Sequence, residues 1–425
     1  MQEDLAVQTL WMPALNDIGI RITEIGGGGR RFTVLGSSSV AMPSNLATFS
    51  VLAGALALGC SGRIAEGGPT EKAIAAPSAA PSAPLGPSDP DAWFPRTACT
   101  PVGTTPRVLV SDFPERAASR IIPAGDTVYF DLFDSGAQEF HLQQVPLAGG
   151  PRTAVPLDGY RGYVGIHDGK LVYIRSLRPG RSEPWIEEVA LYDPKTSART
   201  GLENPLPESY VGGLFVASFG IGWLNARSDE SVPMRISLWS GGERKELARV
   251  DEAAYPMTDG REVFFQTWRK VAPTEVSRWG ALEAVSLQGG ATRVVRSWDD
   301  EGIAAVYTLV GVDDREVYYT REALQGGGTI GRGELRAIGK NGGAERVLAS
   351  DVHFFPRSVH IDPDYATWSD QEAQQDIVRV PRAGGPLQRI AGTRGRWIDA
   401  LAVDACNIYV AVVNPPALFA RSRLP

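Results

Sequence analysis

The chain has 425 residues, 43% of them hydrophobic and 21% charged, with a formal net charge of -7. This is ordinary globular composition with enough material for a large core, and no basic stripe marks a nucleic-acid-binding surface. Glycine (47) and proline (31) favour strands and turns over helices, and no charge-free apolar run reaches the ~18 residues that a spanning helix needs.

At the N-terminus, residues 46–58 (LATFSVLAGALAL) form a short apolar core ending at Gly59-Cys60-Ser61. The run has signal-peptide length and is too short to span a bilayer. ALGC is similar to the bacterial lipobox, whose cysteine is lipidated and becomes the mature N-terminus, although Ala57 and Leu58 depart from its commonest order. Cys60 is therefore the expected lipid attachment. A plain secretory signal, a twin-arginine signal led by Arg30-Arg31, or a buried strand with an incidental cysteine are the alternatives. Residues 61–96 are dominated by Ala, Pro, Ser and Gly and cannot bury enough apolar surface to offset their ordering entropy. The organisation expected is thus 1–59 as N-terminal extension and signal peptide, 60–98 as disordered tether, and 99–425 as the folded body. Ser61 is not the aspartate that commonly retains lipoproteins at the inner membrane, so the expectation is an exported, lipid-anchored monomer at the cell envelope, with the outer membrane preferred.

Cys99 opens the folded region and Cys406 stands near its end. Two remaining cysteines in an exported chain suggest one disulfide, against the alternative of two buried free thiols. Closing so long a loop is worth about 5 kcal/mol in the chain-entropy model.

The body is built on a repeat. Seven strand entries begin at a turn and continue as an apolar-aromatic run: GDTVYF (125–130), DGKLVYI (168–174), GIGWLN (220–225), DGREVFF (259–265), DDREVYY (313–319), DPDYATW (362–368) and DACNIYV (404–410). Aspartate and glycine are turn formers, and the β-branched and aromatic residues that follow are strand formers. After each of the first six comes a hairpin. In four of them apolar residues stand seven and four positions before a Gly-Gly pair and five after it, as in Ile377, Val380, Gly384-Gly385 and Ile390. Gly241-Gly242 and Asp193-Pro194 mark two degenerate copies. A period of this length built from strands means a propeller.

Seven entries against six hairpins leave one blade short. RVLVSD (107–112) matches RVLASD (346–351), an outer strand, and nothing before it supplies the rest of its own blade. The fold expected is an all-β, seven-bladed propeller in which Arg107–Val110 completes the C-terminal blade. Short turns then share one face. The longer connections 132–140, 176–185, 203–213, 226–234, 266–280 and 321–334 share the other, where binding is expected.

No Gly-x-Ser-x-Gly elbow, P-loop, dinucleotide fingerprint, His-Glu-x-x-His or EF-hand loop occurs, so neither a catalytic residue, a metal nor a cofactor is assigned. The four histidines (141, 167, 353 and 360) read as structural or surface groups, with His353 and His360 straddling an inter-blade link. The candidate ligand face is Arg120, Arg161, Tyr210, Tyr255, Trp268, Trp279, His353, Arg357 and Trp397, placed in long loops and links. The alternative is packing between blades.

DGREVFF followed by ALEAVSLQGG resembles the repeat of TolB-like bacterial propellers. The lipobox, the tether and such repeats together resemble Gram-negative envelope lipoproteins. The resemblance implies a lipid-anchored propeller that binds an envelope protein or a glycan without catalysis. A propeller-fold glycan hydrolase or lyase, and a structural spacer without ligand, are the alternatives; a pair of carboxylates at glycosidase separation would mark the enzyme.

Overall fold

The computed structural model describes residues 20–21, 33–34, 99–111, 120–134, 139–177, 186–202, 209–227, 233–269, 278–298, 305–325, 329–354, 358–370, 376–392, 396–413 and 415–423. The expected signal peptide, Cys60, the expected tether to residue 98 and Arg357 lie outside them, apart from a two-residue antiparallel pair, Ile20–Arg21 with Thr33–Val34. Pro84–Pro179 with Glu183–Pro425 form one compact unit.

That unit is a seven-bladed propeller of four-stranded antiparallel sheets. From inner to outer strand, blade 1 is Ile121–Ala124, Thr127–Asp134, Glu139–Pro146 and Thr153–Ala154, and blade 2 is Tyr160–His167, Lys170–Ser176, Glu187–Tyr192 and Arg199–Gly201. Blade 3 is Ser209–Ala217, Gly220–Arg227, Met234–Ser240 and Glu243–Val250, and blade 4 is Ala253–Thr258, Glu262–Arg269, Arg278–Ser286 and Arg293–Ser297. Blade 5 is Ala305–Val312, Glu316–Gln325, Thr329–Gly339 and Glu345–Val352. Blade 6 is His360–Ile361, Tyr365–Asp370, Asp376–Pro381 and Gln388–Gly392, and blade 7 is Ile398–Val403, Asn407–Val412, Ala417–Ser422 and the N-terminal Arg107–Ser111.

The second strand of each blade is apolar on both sides because a blade inside the ring has a neighbour on each face. Val263 and Phe265 face blade 3, whereas Phe264 faces blade 5. The core is accordingly seven apolar layers, one in each seam between adjacent blades, rather than one central mass.

The predicted closure is present: Val108 pairs with Phe419 and Val110 with Leu418. Leu109 and Val110 enter the layer between blades 7 and 1. The Cys99–Cys406 disulfide staples the incoming chain to the same blade. Buried Asn407 receives the Val102 N–H and donates to Thr100 O (both 3.0 Å), while the Gly103 N–H donates to Ser422 Oγ at 2.8 Å.

The Gly-Gly pairs differ from expectation in one respect. Gly149, Gly289, Gly342 and Gly384 each donate their N–H to the carbonyl three residues back at 2.8 Å, and one or two residues after the second glycine precede the outer strand. They are four-residue turns followed by a second glycine at positive φ, where a side chain would be strained. The two-residue hairpin is the degenerate copy, Gly241-Gly242, between Ser240 and Glu243.

On the short-turn face the Asp-led turns also join blades. Asp259, Asp313 and Asp362 each accept two N–H groups of their own turn. Each also meets a cation from the next blade: Lys340, Arg382 (3.0 Å) and Arg423 (2.6 Å), respectively. These carboxylates are almost wholly buried, so turn geometry and seam neutralisation account for them.

Replacing Cys99 and Cys406 by serine should lower the unfolding free energy by about 2–5 kcal/mol while preserving far-ultraviolet β signal, since Asn407 and Ser422 still moor the strand. Denaturant unfolding with and without reductant measures this; identical midpoints would contradict it.

Candidate functional site

Buried polar side chains that face a seam generally find the inner strand of the next blade. From blade 2, Glu187 Oε2 accepts the Val211 N–H (3.0 Å) and His167 Nδ1 lies 2.9 Å from Ala217 O. From blade 4, Gln266 donates to Tyr307 O (3.1 Å) and accepts from Leu309 N (2.9 Å). From blade 6, His360 Nε2 lies 2.6 Å from Leu401 O. An unmet buried polar group costs about 1–3 kcal/mol, which is why such links recur.

The seam between blades 5 and 6 breaks the pattern. Tyr318, Thr320 and Glu322 alternate onto the side of blade 5 that carries Leu335 and Ala337, facing blade 6. The inner strand they face, His360–Ile361, is only two residues long. Beyond it, the Ser358 and Ser369 hydroxyls meet at 3.0 Å in place of a ladder bond. Glu322 is fully buried, and neither of its carboxyl oxygens has a hydrogen-bond partner, nor do Thr320 Oγ1 and Trp368 Nε1 beside the same layer. Burial alone pushes the Glu322 carboxyl up to about 8, so the group is neutral at pH 7.

A second carboxyl belongs to this seam. Asp370 pairs through its backbone with Phe354 of the blade 5–6 link and shares the strand face of Trp368. Burial raises its carboxyl above the usual range, while His353, Arg332 and Arg389 oppose that rise. The long-loop end of this seam therefore carries two carboxyls that burial raises, Glu322 to about 8 and Asp370 against the opposing pull of His353, Arg332 and Arg389.

The expected ligand-face residues divide among other sectors. Arg120 leads into the inner strand of blade 1, and its N–H donates to Asp131 Oδ1 at 2.7 Å. Next to them burial pushes the Tyr160 phenol well up, and its hydroxyl has no hydrogen-bond partner. Arg161, Tyr210 and Tyr255 lie within inner strands rather than links. Tyr255 has a φ of 53° and sits in a bulge between Ala254 and Met257. The 266–280 loop is a correction: strands extend into it from both sides, and Trp268 and Trp279 are cross-strand partners in blade 4. Their aromatic, β-favouring character continues the ladder. His353 joins the Asp370 sector, and Trp397 stands on the rim immediately before the inner strand of blade 7. Glu322 itself escaped sequence reading because TREAL carries no motif; only the short inner strand opposite gives it meaning.

Among the described residues, one set of three His, Cys, Asp or Glu donors converges, Cys99, Asp404 and Cys406, and its cysteines are joined in the disulfide. No described donor set suits a catalytic metal ion.

No family model matches the chain, and no curated protein does. Solved structures match in fold. Oligogalacturonate lyase in complex with manganese is 13% identical with a TM-score of 0.50, over 75% of this chain and 91% of that one. The β-propeller domain of the Trilobed protease from Pyrococcus furiosus, described as having an open velcro topology, is 10% identical with a TM-score of 0.51, over 73% and 94%. A Mycobacterium tuberculosis puromycin-hydrolyzing peptidase is 13% identical with a TM-score of 0.52, over 77% of this chain but only 55% of its own.

These matches correct the expectation of a non-enzymatic, partner-binding propeller: the folds this chain resembles belong for the most part to lyases and peptidases. The likeness also points to their propeller fold in general and not to TolB-like proteins in particular. At these identities it establishes a shared fold, a seven-bladed propeller.

An unfolded glutamate ionises near 4.5 whereas Glu322 keeps its proton to about 8. Folding therefore takes up a proton between these values, and stability falls as pH rises through that window, by roughly 5 kcal/mol in all. Glu322→Gln should remove this dependence. Its stability relative to wild type should climb from pH 5 to pH 8 and then level; a difference that does not change with pH would contradict the assignment.

Proposed function

We propose that the chain is a propeller enzyme that cleaves a glycan by carboxyl acid/base chemistry at the seam between blades 5 and 6. The observation that carries the reading is Glu322, a carboxyl held neutral at pH 7 with no partner in the fold. A group of that kind serves as a proton donor. The fold comparison supports the choice of substrate class, because the oligogalacturonate lyase is matched over 91% of its length and the puromycin-hydrolyzing peptidase over 55%.

Glu322 is wholly buried in the closed seam, so the step requires the long-loop end of the seam to open; Glu322 then gives its proton to the glycosidic oxygen as the carbon–oxygen bond breaks. Asp370 takes the balancing proton. In a hydrolase that proton comes from the water that adds to the sugar carbon. In a lyase it comes from the carbon next to the sugar carboxylate, and a carbon–carbon double bond forms. Both versions use the same two groups, and the products tell them apart. We also read the chain as exported, with Cys60 as its anchor to the envelope membrane; a disulfide across the ring closure supports an oxidising compartment.

Purified protein incubated with neutral and uronate oligosaccharides should release new reducing ends, and ultraviolet absorbance of an unsaturated end identifies elimination. Glu322→Gln should lower kcat by about 10²–10⁴ with the fold intact. Cleavage of no oligosaccharide by the wild type, or full activity in Glu322→Gln, would overturn the proposal.

A further inference from the structure

The second strands of blades 1, 4 and 5 share a run, VYFDLF (128–133), VFFQTW (263–268) and VYYTRE (317–322), so Phe133, Trp268 and Glu322 hold one register position. Across the ladder from it, blade 1 places Phe140 and blade 4 Trp279. In blade 1 the two rings meet with centroids 4.9 Å apart. An aromatic opposite an aromatic is a favourable cross-strand pair. Blade 5 departs from it on both strands at once: the pair is Glu322 with Gly333.

Gly333 is buried and lies between Glu322 on one side and Val352 of the outer strand on the other. Glycine in a strand interior weakens the strand and often marks a close approach. Here the approach is that of the acid. A Cβ on Gly333 would stand 2.8 Å from Glu322 Cγ and 2.5 Å from the Arg321 carbonyl oxygen, well inside ordinary van der Waals contact. Its φ is outside the left-handed region, so space and not backbone freedom demands the glycine. The ladder also shifts register beside the pair, between Glu322 and Leu324 and between Gly333 and Leu335. Such bulges re-aim a side chain. Glu322 thus lies across the bare backbone of Gly333, within the seam whose apolar layer includes Val352, Phe354 and Trp368.

We infer that Gly333 is a positioning residue for Glu322, its missing side chain letting the acid fold back into the seam instead of extending to the rim. This rests on the acid/base reading above and concerns what sets the environment of its acid. The charged groups at that end of the seam are Asp370 and, acting on it, His353, Arg332 and Arg389. Burial alone acts on Glu322, so a change that pushes the side chain outward returns its carboxyl toward the ordinary range.

Infrared difference spectra of Gly333→Ala against Gly333→Ala/Glu322→Gln, taken across a pH series, read the position of the acid without any substrate. The midpoint at which the protonated carboxyl band disappears should fall below that of wild type by at least about one pH unit. A purely structural glycine would cost stability and leave that midpoint where it was, and an unchanged midpoint in folded Gly333→Ala overturns the inference. Should Gly333→Ala not fold, Glu322→Ala/Gly333→Ala removes the Cγ contact: recovery of folded protein supports the coupling of the pair, and no recovery shows that the glycine serves the strand alone. Failure of the acid reading is visible separately, as a wild type without a protonated carboxyl band at pH 7, and the inference falls with it.

Discussion

A propeller is held together by what crosses its seams. Each sheet has its hydrogen bonds satisfied internally, so blades adhere through apolar layers and through the few polar groups that reach the next blade. The arrangement here is directional. Glu187, Gln266 and His360 bond the backbone of the following inner strand, and Asp259, Asp313 and Asp362 bind a cation of the following blade. A ring built this way is stable only if its last seam closes as well as the others, and that is the work of Arg107–Ser111, Asn407, Ser422 and the disulfide. Closure also removes the open sheet edges that otherwise invite association.

The same rule explains why one seam differs. Glu322 has the position of a cross-seam linker, yet blade 6 offers an inner strand of two residues and none of its groups meets the carboxyl. Solvation lost without compensation must appear elsewhere, and it appears in the proton that the carboxyl retains. Structural economy would favour an apolar residue at such a point, because replacing a buried unmet group by a hydrophobic one is commonly neutral or stabilising. The proposed function gives that cost a use, as a proton held ready for transfer.

Much of the architecture was legible in the chain. Gly-Gly spacing located four hairpins, and the likeness of RVLVSD to RVLASD identified an outer strand separated from its blade. The cysteine pair then fell in that same blade. What was missed has physical reasons. Arg293 and Arg346 stand three residues after their Gly-Gly turns, pair with Glu262 and Glu316 of their own blade, and donate to the carbonyls of Lys340 and Arg382 in the next. That spacing could have been read as a seam motif, but arginine in a strand looks like solvated surface until the neighbouring blade is placed. The pairing of Trp268 with Trp279 is hidden in the sequence by an intervening stretch rich in charged and polar residues. Glu322 was illegible for a deeper reason: its meaning lies in the shortness of a strand some forty residues away in sequence, which no local pattern records.

The account turns on the protonation of Glu322 in the folded state. Infrared difference spectra between wild type and Glu322→Gln across a pH series observe it directly. The account predicts that the wild type shows a protonated carboxyl band at pH 7, absent from the variant, that disappears with a midpoint near 8. Carboxylate bands alone at pH 7, with no protonated component, would show that the side chain is solvated or paired, and the site built upon it would not stand.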